Sequence, residues 1–504
     1  MNQRASGVLL HITSLPSPYG IGDLGESAYH FIDFLSGSRQ TFWQILPTHP
    51  TSLSHGNSPY GTDSVFAGNS LLINPDLLLE EGLLEKSDLS GAPDFPKKRV
   101  DYPSAASYKN RLWVSAFERF KTLRDKKKEF SDFLEDNKDW LEDYALFRVL
   151  KTHYGLPDWT HWPWEIRDRD RKAIQRQREK FDEQVRYEQF LQFLFFKQWR
   201  ALRGYSRQRG IQIIGDLPIY VQHDSAEVWA HPRLFKLDQA RRPYVVAGVP
   251  PDYFSATGQR WGYPVYEWGR HKDTGYRWWI RRFAHNMDLY DWVRVDHFRG
   301  FAGYWEIPAT ESDAVKGRWI KGPSVDFLEA LHRKFALLPI IAEDLGVITP
   351  DVRDLMDRFK IPGMKILLFA FDDEDVDGHP YAPHNFTENC VVYTGTHDNN
   401  TIRGWIEREA PPVVLGRVSR YLGHEINPER GHRDIIGLAM ASAARMAIFP
   451  MQDILGLGGE ARMNQPATSS GNWEWRLSPA DPSPDIQIWL AAETRKFGRA
   501  RGEG

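Results

Sequence analysis

Eight short apolar runs, each passing directly into polar residues, constrain this chain more than any other feature. They are VLLH (8–11), FWQILP (42–47), IQIIGDLP (211–218), WVRVDH (292–297), LPIIAED (338–344), MKILLFAF (364–371), VVYTGTHD (391–398) and MAIFPMQD (446–453). Each has the length and composition of a buried strand. Stretches with helical spacing separate most of them. Residues 26–38 put Ala28, Phe31, Ile32 and Leu35 on one face; 324–335 do the same with Phe327, Leu328 and Leu331. Residues 350–359 open on a proline and carry Val352, Leu355, Met356 and Phe359. Strand then helix, repeated with nearly uninterrupted apolar strands, predicts a parallel sheet covered by helices. An open doubly wound sheet and a closed barrel both fit that pattern, and the polar residues separate them. His11, Asp216, Asp296, Glu343 and Asp398 all fall at or just past the C-terminal end of a predicted strand. In a barrel those ends share one rim, where active sites are built. One such residue alone reads as a satisfied loop. Five together predict a (β/α)8 TIM barrel.

Two gaps interrupt the repeat. The expected organisation is a single catalytic barrel over 1–504, with a mostly helical insertion at about 50–205 and a second insertion at about 220–290. The first includes charged helical stretches at 123–150 and 170–203. The second carries VPPDYFSATGQRWGYP (249–264), whose Gly, Pro and aromatic content suits an ordered functional loop. The basic run RDKKKEF (124–130) reads as a solvated helix face rather than a nucleic-acid site. A net charge of -3 attracts neither nucleic acid nor an anionic membrane. No apolar stretch is long enough for a membrane span or a signal-peptide core. The single cysteine, Cys390, excludes an internal disulfide framework, and a cytoplasmic protein is the expectation.

The chemistry lies in the carboxylates. Breaking an acetal with retention needs two carboxyl groups about 5–5.5 Å apart, one as nucleophile and one as proton donor. Asp296 and Glu343 follow neighbouring predicted strands. Arg294, two residues before Asp296, points to the same side and keeps a carboxylate ionised. Glu343 follows the apolar run IIA, and a desolvated Glu enters a reaction protonated. His397 and Asp398 have no second His pair nearby, so they read as groups that hold sugar hydroxyls rather than as metal ligands. The acidic segment DDEDVDG (372–378) lacks EF-hand spacing, and no phosphate loop is present, so no cofactor or metal is indicated. The 19 Trp and the 13% aromatic content fit both a large core and sugar-stacking surfaces.

GDLPIYV (215–221), VRVDHFRGF (293–301), IAEDLG (341–346) and GTHDNNT (395–401) resemble the four signature regions of the α-amylase clan. SPYGTDSVFAGN (58–69), GVPPDYFSATGQRWG (248–262) and RMNQPATSSGNWEWR (462–476) resemble, more narrowly, the amylomaltase or disproportionating-enzyme family, the 4-α-glucanotransferases. The resemblance implies Asp296 as nucleophile, Glu343 as acid/base and Asp398 as transition-state stabiliser. It further implies Arg294, His297 and His397 as site partners, and Tyr60 and Asp216 as walls of the reacting subsite. Asp252, Tyr253, Phe254, Gln259 and Trp261 would belong to an acceptor-covering loop, and Asn464 and Pro466 would border the groove. Malto-oligosaccharides, starch or glycogen-type glucans would be substrates, with glucose as an acceptor. Asn400 and Ala256 depart from the family, which often has Asp and Glu there. An α-glucan hydrolase and a catalytically silent glucan-binding protein are the competing readings.

Overall fold

A computed structural model describes residues 4–123, 126–251, 255–468 and 470–500. Its strands are β1 (Ala5–Leu9), β2 (Phe42–Gln44), β3 (Gln212–Leu217), β4 (Val245–Val249), β5 (Gln259–Pro264), β6 (Trp292–Val295), β7 (Gly303–Pro308), β8 (Arg318–Lys321), β9 (Ile340–Ala342), β10 (Gly363–Ile366), β11 (Cys390–Tyr393) and β12 (Met446–Pro450). Eight of them close in the order β1-β2-β3-β6-β9-β10-β11-β12, all parallel, with β12 returning to β1. These are the eight apolar runs, and the barrel is the expected (β/α)8 fold.

Why these segments close is visible in their alternation. Leu9, Phe42, Ile214, Ile341, Met364, Ile366, Val391, Tyr393, Met446 and Ile448 gather in one buried cluster, the barrel interior. Their strand neighbours Val8, Trp43, Ile213, Val293, Val295, Ile340, Ala342, Val392, Ala447 and Phe449 join the layer beneath the helices. A strand buried on both faces needs apolar residues at every position, which is why the runs look continuous in sequence. Gly7 faces the interior, and a Cβ there would lie 2.4 Å from the Cβ of Phe42, so β1 and β2 close only around a glycine.

Three of the expected helices run from Glu26 to Gly37, from Ser324 to Lys334 and from Pro350 to Phe359. Between β2 and β3 the longest helices are Tyr102–Thr122, Lys138–Tyr154 and Asp182–Gln208. Rings of Phe120, Phe130, Phe133, Phe190, Phe193 and Phe196 interlock there at 4.6–6.3 Å.

Two sequence expectations need revising. The run at 364–371 leaves the sheet after Ile366 and continues as a tight turn, Leu367–Phe371. Apolar content marks burial in both halves and does not distinguish them. Residues 248–262 are not wholly a loop. β4 and β5 form an antiparallel hairpin, joined through β7 to β8 in a four-stranded sheet of order β5-β4-β7-β8.

Candidate active site

The site grows from the register of three neighbouring strands. Asp216 on β3 pairs with Arg294 on β6, and Arg294 pairs with Ile341 on β9. All three face the interior. One step on, Val295 is level with Ala342. The ladder continues past both strands: the Asp296 amide donates to the Leu217 carbonyl at 3.0 Å, and the Glu343 amide to the Val295 carbonyl at 3.0 Å. Asp296 and Glu343 therefore leave adjacent strands at equivalent positions, with backbones about 5 Å apart and side chains on the same side.

Arg294 ties this rim together. Its Nη1 donates to both oxygens of Asp216, at 2.9 and 2.7 Å. Its Nη2 lies 3.0 Å from Asp296 Oδ1. Burial disfavours its charge, but Asp216 and Asp296 more than offset this and hold it charged. The side chains of Arg294 and Asp216 are 5% and 0% exposed, whereas those of Asp296 and Asp398 are 31% and 46% exposed. The anchors are dry and the open carboxylates face the groove.

Glu343 is gripped from two sides. Its Oε2 accepts the His297 amide at 2.8 Å, and its Oε1 the Leu345 amide at 2.8 Å. His297 reaches that position with φ 50°, a left-handed conformation that turns its amide toward Glu343. Burial raises both carboxyls. Asp296 is pushed up to about 8: Arg294 opposes burial, while Asp216, Glu343 and Asp398 add to it. Glu343 is raised by burial against Arg294 and the two amides. Both carboxyls therefore keep a proton to higher pH than free carboxyls do, and each one's charge bears on the other.

On the far side, Tyr60 donates its hydroxyl to Asp216 Oδ2 at 2.6 Å and lies 3.0 Å from His397 Nε2. With its one proton given to Asp216, Tyr60 accepts from His397, which fixes the proton on Nε2. Burial lowers the His397 pKa, with Asp398 resisting, so the ring is neutral at pH 7. Asp398 follows β11 on a turn held by Asn399 and Thr396, and its Oδ1 accepts from Asn464 Nδ2 at 2.6 Å. His11, past the end of β1, lines a cavity with His397, Asn399 and Arg462. Trp261, on β5, sets its ring edge-on to His297 at 4.8 Å, and Gln259 accepts from the Trp261 indole at 3.1 Å. Pro466 is exposed two residues beyond Asn464. Asp252, Tyr253 and Phe254 lie outside the described residues. Among the described residues no three His, Cys, Asp or Glu side chains gather as a metal-binding group, and no helix is long and apolar enough to cross a membrane.

The profile of the family described as 4-alpha-glucanotransferase matches residues 10–481. A 4-alpha-glucanotransferase of Aquifex aeolicus is 48% identical over 479 residues, covering 94% of this chain and 95% of that protein. One from Thermus thermophilus is 48% identical over 501 residues, covering 97% and 98%. The chain belongs to the 4-alpha-glucanotransferase family. The structure of amylomaltase from Streptococcus agalactiae in complex with acarbose agrees at a TM-score of 0.95 and 39% identity, covering 99% of this chain and 100% of that one.

For this member of the 4-alpha-glucanotransferase family the structure adds residues that sequence reasoning left out. Trp473 lies 5.9 Å from the Tyr60 ring and 5.8 Å from His397. It sits inside the quoted motif 462–476, so that resemblance carried the signal. Tyr220 stacks on Tyr263 at 6.4 Å and meets Trp261 at 6.1 Å. Tyr263 is pushed up to about 12 by burial and by the charge of Asp296.

Proposed function

We infer that this chain transfers segments of 1,4-α-glucans to a new 4-hydroxyl by a retaining double displacement. Asp296 attacks the anomeric carbon while Glu343 gives its proton to the departing 4-oxygen, leaving a glycosyl ester on Asp296. An acceptor sugar then enters, Glu343 removes its 4-hydroxyl proton, and the new bond forms as the ester breaks. Arg294 touches Asp296 directly, which favours the negative charge on Asp296 and leaves the proton to Glu343 when substrate binds. Asp398 and His397 hold hydroxyls of the distorted ring. The observation that carries this reading is the level exit of Asp296 and Glu343 from adjacent strands, with Arg294 against Asp296.

Malto-oligosaccharides and starch or glycogen-type glucans are the substrates, glucose is an acceptor, and the setting is glucan metabolism in a reducing cytoplasm that suits the lone buried Cys390. Water is far more abundant than any sugar acceptor, so transfer depends on acceptor binding and shielding. Trp261, packed on His297, supplies part of that shield. With maltotriose alone, a ladder of longer and shorter products at a constant number of reducing ends is expected. A steady rise in reducing ends would make the protein a hydrolase. Asp296→Asn is expected to lose several orders of magnitude in rate. Conversion at the parent's rate would remove Asp296 as the nucleophile.

A further inference from the structure

Asp398 reaches the groove on a turn, not on a strand, so the barrel ladder does not fix it. A second segment does. The Asn464 amide donates to the His397 carbonyl at 3.0 Å, and the Asn464 side chain to Asp398 Oδ1 at 2.6 Å. Arg462 then binds both backbones: its Nη2 donates to the Asp398 carbonyl at 2.6 Å and its Nε to the Asn464 carbonyl at 2.8 Å. Its remaining nitrogen, Nη1, donates to Glu409 Oε1 at 3.1 Å, and the same oxygen accepts Asn400 Nδ2 at 2.9 Å. Glu409 ends a five-residue π-turn, Trp405–Glu409, an uncommon element found most often at functional sites. Behind it the two segments touch through glycines: a Cβ on Gly404 would lie 2.5 Å from Asn400 Oδ1 and 2.8 Å from the Gly459 Cα.

We propose that Arg462, oriented by Glu409 and Asn400, is the positioning residue that sets Asp398 and its partner Asn464 in register. The inference rests on the reading of Asp398 as the transition-state stabiliser. The planar fork of an arginine meets the two carbonyls and the carboxylate from three separate nitrogens; a lysine, whose three donors radiate from one nitrogen, cannot span all three acceptors. Asn400 has a stated part. Its amide is a donor to Glu409, whereas an aspartate there would set two carboxylates against one oxygen and pull Glu409 off the guanidinium.

Arg462→Gln, Arg462→Lys, Asn400→Asp and Asp398→Asn are compared with the parent for maltotriose disproportionation, acarbose inhibition and thermal unfolding. Misplacing a reacting group by about 1 Å costs about 10²-fold in rate. Arg462→Gln is expected to lose kcat by that order with KM little changed, and acarbose affinity is expected to fall with kcat while the unfolding temperature holds. Arg462→Lys recovers only part. The Asn400→Asp loss, relative to the parent, eases as pH falls and the new carboxyl is protonated. Arg462→Gln keeping the parent's kcat, with Asp398→Asn inactive, overturns the positioning role alone. Asp398→Asn at the parent's rate overturns the assignment beneath it. An Asn400→Asp loss that acidification leaves unchanged overturns the part given to Asn400.

Discussion

At the residue scale the decisive group is Arg294, whose two ends bind Asp216 and Asp296 and leave Glu343 to two backbone amides. The consequence is a pair of neighbouring carboxyls, both raised by burial. A raised carboxyl keeps its proton to higher pH than usual, and the reaction needs one proton on the pair. Activity is therefore expected to persist to a higher pH than an ordinary carboxylic acid would allow and to fall once the pair has lost that proton. The alkaline limb of kcat/KM on maltotriose measures this. Asp216 is one of the charges that raise Asp296, so Asp216→Asn is expected to move the limb of the surviving activity to lower pH. A limb that stays or moves upward would refute that electrostatic account. Sequence spacing read the Arg294–Asp296 pairing correctly, because alternation on a strand is a local rule. It missed the upward push on Asp296, because the charges of Asp216 and Asp398 come from segments far away in the chain. It also missed Tyr60 as the bridge between Asp216 and His397, a contact spanning 337 positions.

At the element scale the eight barrel strands were legible because burial on both faces leaves no polar gaps. The small sheet of β4, β5, β7 and β8 was not. Its strands Gly303–Pro308 and Arg318–Lys321 mix Trp, Lys, Arg and Glu, and their order is set by pairing, such as Trp305 level with Trp319. The helix Tyr102–Thr122 falls within the expected helical insertion, and its start is marked in the sequence: Asp101 caps it by accepting from the Ser104 amide, and Pro103 lies in its first turn. Glycines give the element scale a direct test. At Gly7 a methyl group would lie 2.4 Å from the Phe42 Cβ and 2.5 Å from its carbonyl oxygen, at the β1–β2 seam. Overpacking of that kind costs about 1–3 kcal/mol, so Gly7→Ala is expected to lower stability by that amount. Gly416 lies within the helix Pro412–Leu422, and a Cβ there meets nothing within 4 Å. Gly416→Ala is expected to gain up to about 1 kcal/mol through helix propensity. Denaturant unfolding of the two variants side by side checks both signs; equal shifts would mean that strand closure at Gly7 tolerates a side chain.

At the scale of the whole molecule the barrel divides labour between its two rims. Asp296, Glu343 and Asp398 stand past the C-terminal ends of their strands, where loops from distant parts of the chain converge. The opposite rim lies away from these carboxyls, and there a single arginine ties the start of β1 to the segment before β12. Arg499 is fully buried there, donating to the carbonyls of Ala5 at 3.0 Å, Met440 at 2.8 Å and Ser442 at 3.0 Å. Ala5 opens β1, Met446 opens β12 level with it, and Arg499 binds the carbonyl of the first while spanning the end of the helix before the second. Arg499→Met keeps the length of the stem and removes every donor. The Met440 carbonyl keeps Arg4 as a donor and Ala5 keeps its place in the β1–β12 ladder, so the loss falls mainly on Ser442; a buried carbonyl left unpaired costs about 1–3 kcal/mol, and faster thermal inactivation is expected. Because the lost bonds lie at the far end of the barrel, kcat and KM measured at room temperature on the folded enzyme are expected to match the parent. Asp216→Asn should behave in the opposite way, with activity lost while the fold persists. A loss of kcat in Arg499→Met without a loss of heat resistance would mean that the two rims are coupled through the barrel interior and do not act separately.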